Sequence, residues 1–142
     1  MRAAALAVLG LLLVAGCADR ANAQQFQSYW SQVDGLRASV HDTMARRDVY
    51  AQGHANDTGG VEVEDDALLK VAEHVAGWNT PDAWKPARDQ LLVAIEDLHN
   101  AFGDATRCLR GNVTDCGSYQ GEETDAERAL TQAASLAPNG GF

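Results

Sequence analysis

The chain has 142 residues, and its 20 Asp and Glu against 11 Lys and Arg give a formal net charge of −9 at pH 7. An acidic surface of this kind repels phosphate, so no nucleic-acid partner is expected. The length suffices for one compact domain with a modest core.

The first residues have the layout of an export signal. Arg2 supplies one positive charge, no charged side chain follows over 3–18, and the apolar centre covers 6–14. This run is shorter than the roughly 20 apolar residues that a membrane-spanning helix needs. The sequence therefore predicts a secretory signal peptide rather than a membrane span.

The apolar run ends in Val14-Ala15-Gly16-Cys17. These four residues resemble the lipobox of bacterial lipoproteins, in which a branched apolar residue and two small residues precede a required cysteine. The resemblance covers residues 1–17 only. It implies that Cys17 receives a diacylglyceryl group, that the chain is cut before it, and that the new amino terminus is acylated. Two or three acyl chains anchor a protein stably, so we expect an extracytoplasmic protein at the cell membrane or elsewhere in the envelope.

A second cleavage site follows the lipobox. Ala21-Asn22-Ala23 has the A-x-A form that an ordinary signal peptidase cuts, here before Gln24, which would discard Cys17 and release a soluble protein. We favour the lipobox because Cys17 falls where the apolar run ends. Removing residues 1–16 leaves 126 residues, lowers Lys and Arg to 10 and makes the net charge −10. Anionic lipid repels such a surface, so we expect membrane attachment to depend on the anchor.

The cysteines predict a disulfide. Export removes Cys17 from the count by either route, and Cys108 and Cys116 remain as a pair in an oxidising compartment. The alternative is a metal pair, but the nearest histidine, His99, lies nine residues before Cys108 and on the opposite face of a helix. We therefore predict a Cys108–Cys116 bond.

Apolar side chains recur at steps of three and four, which predicts an all-α fold. No segment alternates as a strand does. Four helices and one turn are expected: 25–51, about 64–78, a separate turn at 81–85, 86–110, and a shorter helix that starts at the capping box Thr124-Asp125-Ala126-Glu127 and ends near 136. The segment 53–63 is predicted to be a loop, and Gly111 is predicted to end the third helix.

Such stripes pack as a small antiparallel bundle of three main helices and a shorter fourth. We assign residues 25–138 to this bundle, 1–16 to the signal peptide, 17–24 to a tether and 139–142 to a flexible tail. The three tryptophans are expected to anchor the core rather than to stack on a ligand: Trp30, Trp78 and Trp84.

The segment between the first two helices has a partial likeness to a calcium-binding EF-hand loop. Aligned from the first position of such a loop, the residues compared are His54, Asn56, Thr58, Gly59, Gly60, Val61, Glu62 and Asp65. His54 stands where the first Asp ligand belongs, and Asp65 where a bidentate Glu belongs. A solvated acidic loop is the favoured interpretation.

Three histidines are the other candidates for a metal site. His41, His74 and His99 fall on three different predicted helices, each beside the apolar stripe, and His41 has Met44 one turn away, a pair that copper accepts. Bundles build metal sites from such positions, but no His-Glu-x-x-His motif is present. Metal binding is therefore the alternative function.

The sequence holds no motif for catalysis. It contains no Gly-x-Ser-x-Gly, no phosphate-binding loop and no dinucleotide fingerprint, so we name no catalytic residue and no cofactor. The favoured function is non-catalytic binding or interaction at a membrane, with a protein of the envelope or a small molecule as partner. An enzyme with an unrecognised site is a third hypothesis.

Overall fold

The structure is a computed structural model that describes the backbone of residues 3–47 and 58–140 and the side chains of residues 17–47 and 58–139. Over these ranges the chain is helical and contains no strand, which confirms the predicted all-α bundle. The elements are α1 (Ala3–Ala45), α2 (Thr58–Gly77), α3 (Lys85–Leu109), α4 (Val113–Leu136), and 3₁₀ turns at Asp82–Trp84 and Pro138–Gly140.

The four helices run alternately up and down. Tyr29 contacts Trp78 and Ser39 contacts Glu64, so α2 runs antiparallel to α1. α4 is also antiparallel to α1, and α3 is parallel to it. We call the end that contains Cys17 and Asp82–Trp84 the anchor end, and the end that contains Cys108 and Cys116 the disulfide end.

α1 continues through the segment that was expected to be a tether. Residues 17–24 are helical, and Ala23 already packs against the core. A tether was expected because small and polar residues dominate this segment, but its inward side is held by contacts with distant elements. The predicted end of this helix at 51 lies outside the described residues, as do the side chains of residues 1–16.

α2 begins at Thr58, so the expected loop over 53–63 is wrong for its second half. Gly59 and Gly60 indicated a loop because glycine costs up to about 1 kcal/mol in a helix. Burial of Val61, which is 1 % exposed, extends the stripe of α2 and outweighs that cost. The EF-hand likeness fails for Thr58–Asp65, which are helical; His54 and Asn56 lie outside the described residues.

The turn between α2 and α3 forms as predicted. Asp82–Trp84 is a separate 3₁₀ turn within the predicted 81–85. The Thr80 hydroxyl donates to the Trp78 carbonyl at 2.9 Å and makes no capping hydrogen bond.

Gly111 ends α3 as predicted. Its φ of 102° lies in the left-handed region that favours glycine. The amide of Gly111 donates to the Cys108 carbonyl at 3.0 Å, and the amide of Asn112 donates to the Arg107 carbonyl at 3.1 Å. This pair of hydrogen bonds is a Schellman motif.

α4 is longer than the sequence indicated. It starts at Val113, and its 24 residues nearly match the 25 of α3, so it is not a shorter fourth helix. The expected capping box lies inside the helix, where the Thr124 hydroxyl donates to the Gln120 carbonyl at 2.8 Å. Gly117 and Gly121 weaken the helical signal before Thr124, and tertiary packing overrides it.

The tryptophans anchor the core as predicted. Trp84 is 1 % exposed and contacts the ring of Phe26 at a centroid distance of 5.7 Å and that of Trp78 at 6.3 Å. Trp30 packs half-buried, and its Nε1–H donates to the Leu130 carbonyl at 2.9 Å.

Candidate functional site

Cys17, the candidate lipidation residue, lies exposed on α1 with a free thiol. Two residues later, the Asp19 carboxylate accepts a hydrogen bond from Trp84 Nε1 at 3.1 Å and another from the Asn139 amide at 3.4 Å. These donors belong to the two 3₁₀ turns, one before α3 and one after α4. The candidate anchor therefore lies two residues from a contact with the buried core.

Cys108 and Cys116 form the predicted disulfide, with their Cα atoms 4.8 Å apart. Cys116 lies in α4 rather than in a loop before it, so the bond joins the last turn of α3 to the start of α4. Arg47, just after α1, donates from Nη1 to Cys108 Sγ at 3.2 Å. All three elements therefore meet at the disulfide end.

The three histidines do not come together. His41 contacts Glu123 of α4, His99 contacts Asp65 of α2, and His74 is exposed on α2. Within the described ranges, no group of three or more His, Cys, Asp and Glu side chains is arranged to hold a metal ion. The structure thus does not assemble the candidate metal site that these histidines suggested.

His41 instead belongs to an ion-pair network between α1 and α4. Its Nδ1 lies 2.7 Å from Glu123 Oε1, and Arg37 Nη1 donates to the same oxygen at 3.4 Å. Glu123 is only 9 % exposed, and a buried carboxylate is costly unless it is paired. Burial lowers the pKa of Arg37, but the hydrogen bond and the charge of Asp34 outweigh burial and raise it overall. Arg37 therefore stays charged beside Glu123.

Tyr119 lies one turn before Glu123 on the same face of α4. The residue is 4 % exposed, and its buried hydroxyl interacts with the Glu123 carboxylate without reaching the geometry of a well-formed hydrogen bond. Burial raises the pKa of Tyr119 strongly, and the nearby Glu123 raises it further. The hydroxyl is therefore protonated at physiological pH.

These side chains surround a cleft between α1 and α4 at the disulfide end. It has a volume of about 260 Å³ and is lined by Tyr119, Gln120 and Glu123 of α4 and by His41, Met44, Ala45 and Arg47 of the α1 side. We call it the α1–α4 cleft. A second depression of about 460 Å³ shares His41 and Glu123 with it and continues toward Arg37 and Glu127. The His41–Glu123 pair thus forms a wall common to both.

The cleft residues of α4 were missed by the sequence analysis, although a signal was present. The buried residues of α4 are Tyr119, Glu123, Ala126, Ala129, Leu130 and Ala133, mostly at steps of four and three. Extending this spacing backwards from Leu130 would have placed a glutamate at an inward position. The capping box at Thr124 stopped that extension.

A group of carboxylates lies elsewhere, between α3 and α4. Burial, and then the charge of Asp125, raise the pKa of Asp97. Burial, and then the charges of Asp97 and Asp104, raise the pKa of Glu122. Mutual repulsion of this kind is expected on the surface of a strongly acidic protein.

No helix in the described part of the chain is both long and apolar enough to cross a membrane. Comparisons of the chain with known protein families, with curated proteins and with solved structures found no match.

Proposed function

We propose that this protein is a lipid-anchored, extracytoplasmic helical lipoprotein with a non-catalytic binding role, exercised at the α1–α4 cleft. Cys17 carries the anchor, and the partner is a protein of the envelope or a small molecule. The disulfide between Cys108 and Cys116 supports export, because disulfides persist in oxidising compartments.

The contact between Asp19 and Trp84 favours cleavage before Cys17 over cleavage before Gln24. Cleavage before Cys17 keeps Asp19, whereas cleavage before Gln24 removes it. Loss of residues 17–23 would remove this acceptor from Trp84 Nε1 and the contact of Ala23 with the core. A hydrogen bond of this kind contributes about 0.5–1.5 kcal/mol. The folded bundle is therefore better suited to the chain that begins at Cys17.

The α1–α4 cleft supports the binding role. Its wall sets the polar side chains of His41 and Glu123 beside the apolar side chain of Met44. Binding sites are typically concave and apolar with a few convergent polar groups. This composition is the physical reason for assigning binding to this cleft.

Metabolic labelling tests the anchor. In bacteria grown with radioactive palmitate, we expect the wild-type protein to be labelled and the Cys17→Ser variant to be unlabelled. Ala21→Glu is the matched control, because it disrupts the A-x-A site at an exposed position and leaves the lipobox intact. It should be labelled like the wild type. An unlabelled wild-type protein that begins at Gln24 would refute the anchor.

Site-specific photo-crosslinking in membranes tests the role of the cleft. A benzophenone side chain at Gln120, which lines the cleft, should give a discrete crosslinked product. The same group at Ala76, which is exposed on α2, should not. Identical products from both positions would contradict a partner specific to the cleft.

A further inference from the structure

The helical connection between Cys17 and the bundle determines how the protein stands on a membrane. A flexible tether would let the domain take any orientation at the lipid surface. Residues 17–24 are instead part of α1, and their inward side is held by Asp19 and Ala23. The orientation of the bundle is therefore coupled to the position of its anchor.

Asp19 holds this end of α1 from two sides. One carboxylate oxygen accepts from Trp84, and the other accepts from Asn139. Seven residues further along α1, Phe26 is fully buried against the Trp84 ring. The start of the mature chain is thus docked on the base of the bundle.

We infer that the bundle stands upright on the bilayer, with its anchor end against the lipid surface and the α1–α4 cleft at the far end. This inference rests on the proposed anchor at Cys17. Only Cys17 and Ala18 precede the docked Asp19, and two residues span at most about 7 Å. The lipid surface is therefore close to the Asp82–Trp84 turn.

The length of α1 sets the height of the cleft. His41 follows Cys17 by 24 residues within one helix. At a rise of 1.5 Å per residue, this separation is about 36 Å. A partner that binds the cleft would therefore be engaged well above the headgroups.

The charges at the anchor end are compatible with a lipid surface. Asp19 and Asp82 are balanced by Arg20 and Lys85, and Lys85 Nζ lies 2.6 Å from Asp82 Oδ1. These four residues carry no net charge, whereas the chain as a whole is strongly acidic. An anionic bilayer would repel this end less than it repels the rest of the protein.

Neutron reflectometry on a supported bilayer tests the upright orientation. The mature chain that begins at Cys17 retains every residue of the described core. Its Cys17 thiol is free, so it can be coupled to a maleimide lipid without the cellular pathway. We expect a compact protein layer about 42 Å thick, the length of α1 from Cys17 to Ala45. A layer of about 20–25 Å, the width of two packed helices, would overturn the inference.

A variant with a flexible insertion is the matched control. Eight Gly and Ser residues inserted between Ala18 and Asp19 should separate the protein layer from the lipid and broaden it. An unchanged profile would show that the helical connection does not set the orientation, and would also overturn the inference. Because the coupling is chemical, these results are independent of the palmitate experiment. If the coupled protein forms an upright layer but the wild-type protein takes up no palmitate in cells, the lipid anchor at Cys17 is refuted and the upright orientation is not.

Discussion

α1 packs against the bundle in different ways at its two ends. At the anchor end Phe26 packs on the buried ring of Trp84, and Asp19 accepts hydrogen bonds from Trp84 and Asn139. At the disulfide end Arg37 and His41 meet a buried carboxylate, and a cleft separates α1 from Tyr119. One helix with one spacing of inward residues therefore provides tight packing at one end and polar groups in a cleft at the other.

This difference separates stability from binding. A buried aromatic side chain removes 150–250 Å² from water and dominates the energetics of a small core. A buried hydroxyl without a well-formed hydrogen bond has the opposite effect, because its desolvation is only partly compensated. Natural proteins accept such local losses where a site is needed. We therefore expect loss of the Trp84 side chain at the anchor end and loss of the Tyr119 hydroxyl in the cleft to change stability in opposite directions.

Removing the aromatic contact at the anchor end should have the largest effect. Trp84→Ala creates a cavity beside Phe26 and is expected to lower the free energy of unfolding by about 3–5 kcal/mol. Urea denaturation followed by circular dichroism measures this loss. Val93→Ala on α3, where Val93 is 44 % exposed, is the control and should change stability by less than about 0.5 kcal/mol. If the two variants lost equal amounts of unfolding free energy, the aromatic contact would not be the source of stability at the anchor end.

Removing the disulfide should have the second-largest effect. The bond closes a short loop, with a sequence separation of 8, and the chain-entropy treatment assigns it about 2.5 kcal/mol. The double variant Cys108→Ser, Cys116→Ser should lose roughly that amount in denaturant titrations. A reducing agent should destabilise the wild type to the same level and leave the double variant unchanged. A reduced wild type as stable as the oxidised protein would contradict this account.

At the cleft we expect a gain of stability rather than a loss. Tyr119→Phe removes a buried hydroxyl that has no well-formed hydrogen bond and should raise the free energy of unfolding by up to about 1 kcal/mol. The same variant should keep the crosslink from Gln120, because the hydroxyl is buried and does not reach a partner in the cleft. Tyr29→Phe is the control, because the Tyr29 hydroxyl accepts a hydrogen bond from Gln25 at the surface. A destabilised Tyr119→Phe variant would show that the contact with Glu123 fully compensates for burial of the hydroxyl.

The sequence predicted the parts of the fold that depend on apolar spacing. α3 was predicted to within one residue at each end, because its stripe is long and Gly111 gives a clear stop signal. The disulfide followed from cysteine parity. The starts of α2 and α4 were not predicted, since Gly59, Gly60 and Gly117 oppose a helix locally and only tertiary contacts compensate for them.

The candidate site depends on long-range contacts, so little of it could be predicted from the sequence. The partners His41 and Glu123 are 82 residues apart, and no local motif joins them. Asp19 and Trp84 are 65 residues apart, and their contact cannot be inferred from the local sequence. Residues 17–24 were therefore predicted to be a tether. Spacing along one helix shows which face is buried, but it does not show which face of another helix will meet it.

The smallest effect is expected at Asp97, outside both ends of α1. Burial, and then the charge of Asp125, raise the pKa of Asp97 in the folded state. The folded protein therefore binds the Asp97 proton more tightly than the unfolded chain does. Protonated Asp97 stabilises the fold fully below the pKa that Asp97 has in the unfolded chain, and this stabilisation is lost as the pH rises through its pKa in the folded protein.

Asp97→Asn should therefore be more stable than the wild type at pH 7, by no more than about 0.5 kcal/mol because solvent screens the charges. At about pH 3, below the ordinary pKa of Asp, the gain should vanish. Urea titrations at both values measure the difference. Asp82→Asn is the control of opposite sign, since the hydrogen bond from Lys85 lowers the pKa of Asp82 and its carboxylate stabilises the fold at neutral pH. A gain for Asp97→Asn that is equal at both pH values would mean that the change acts through packing rather than charge.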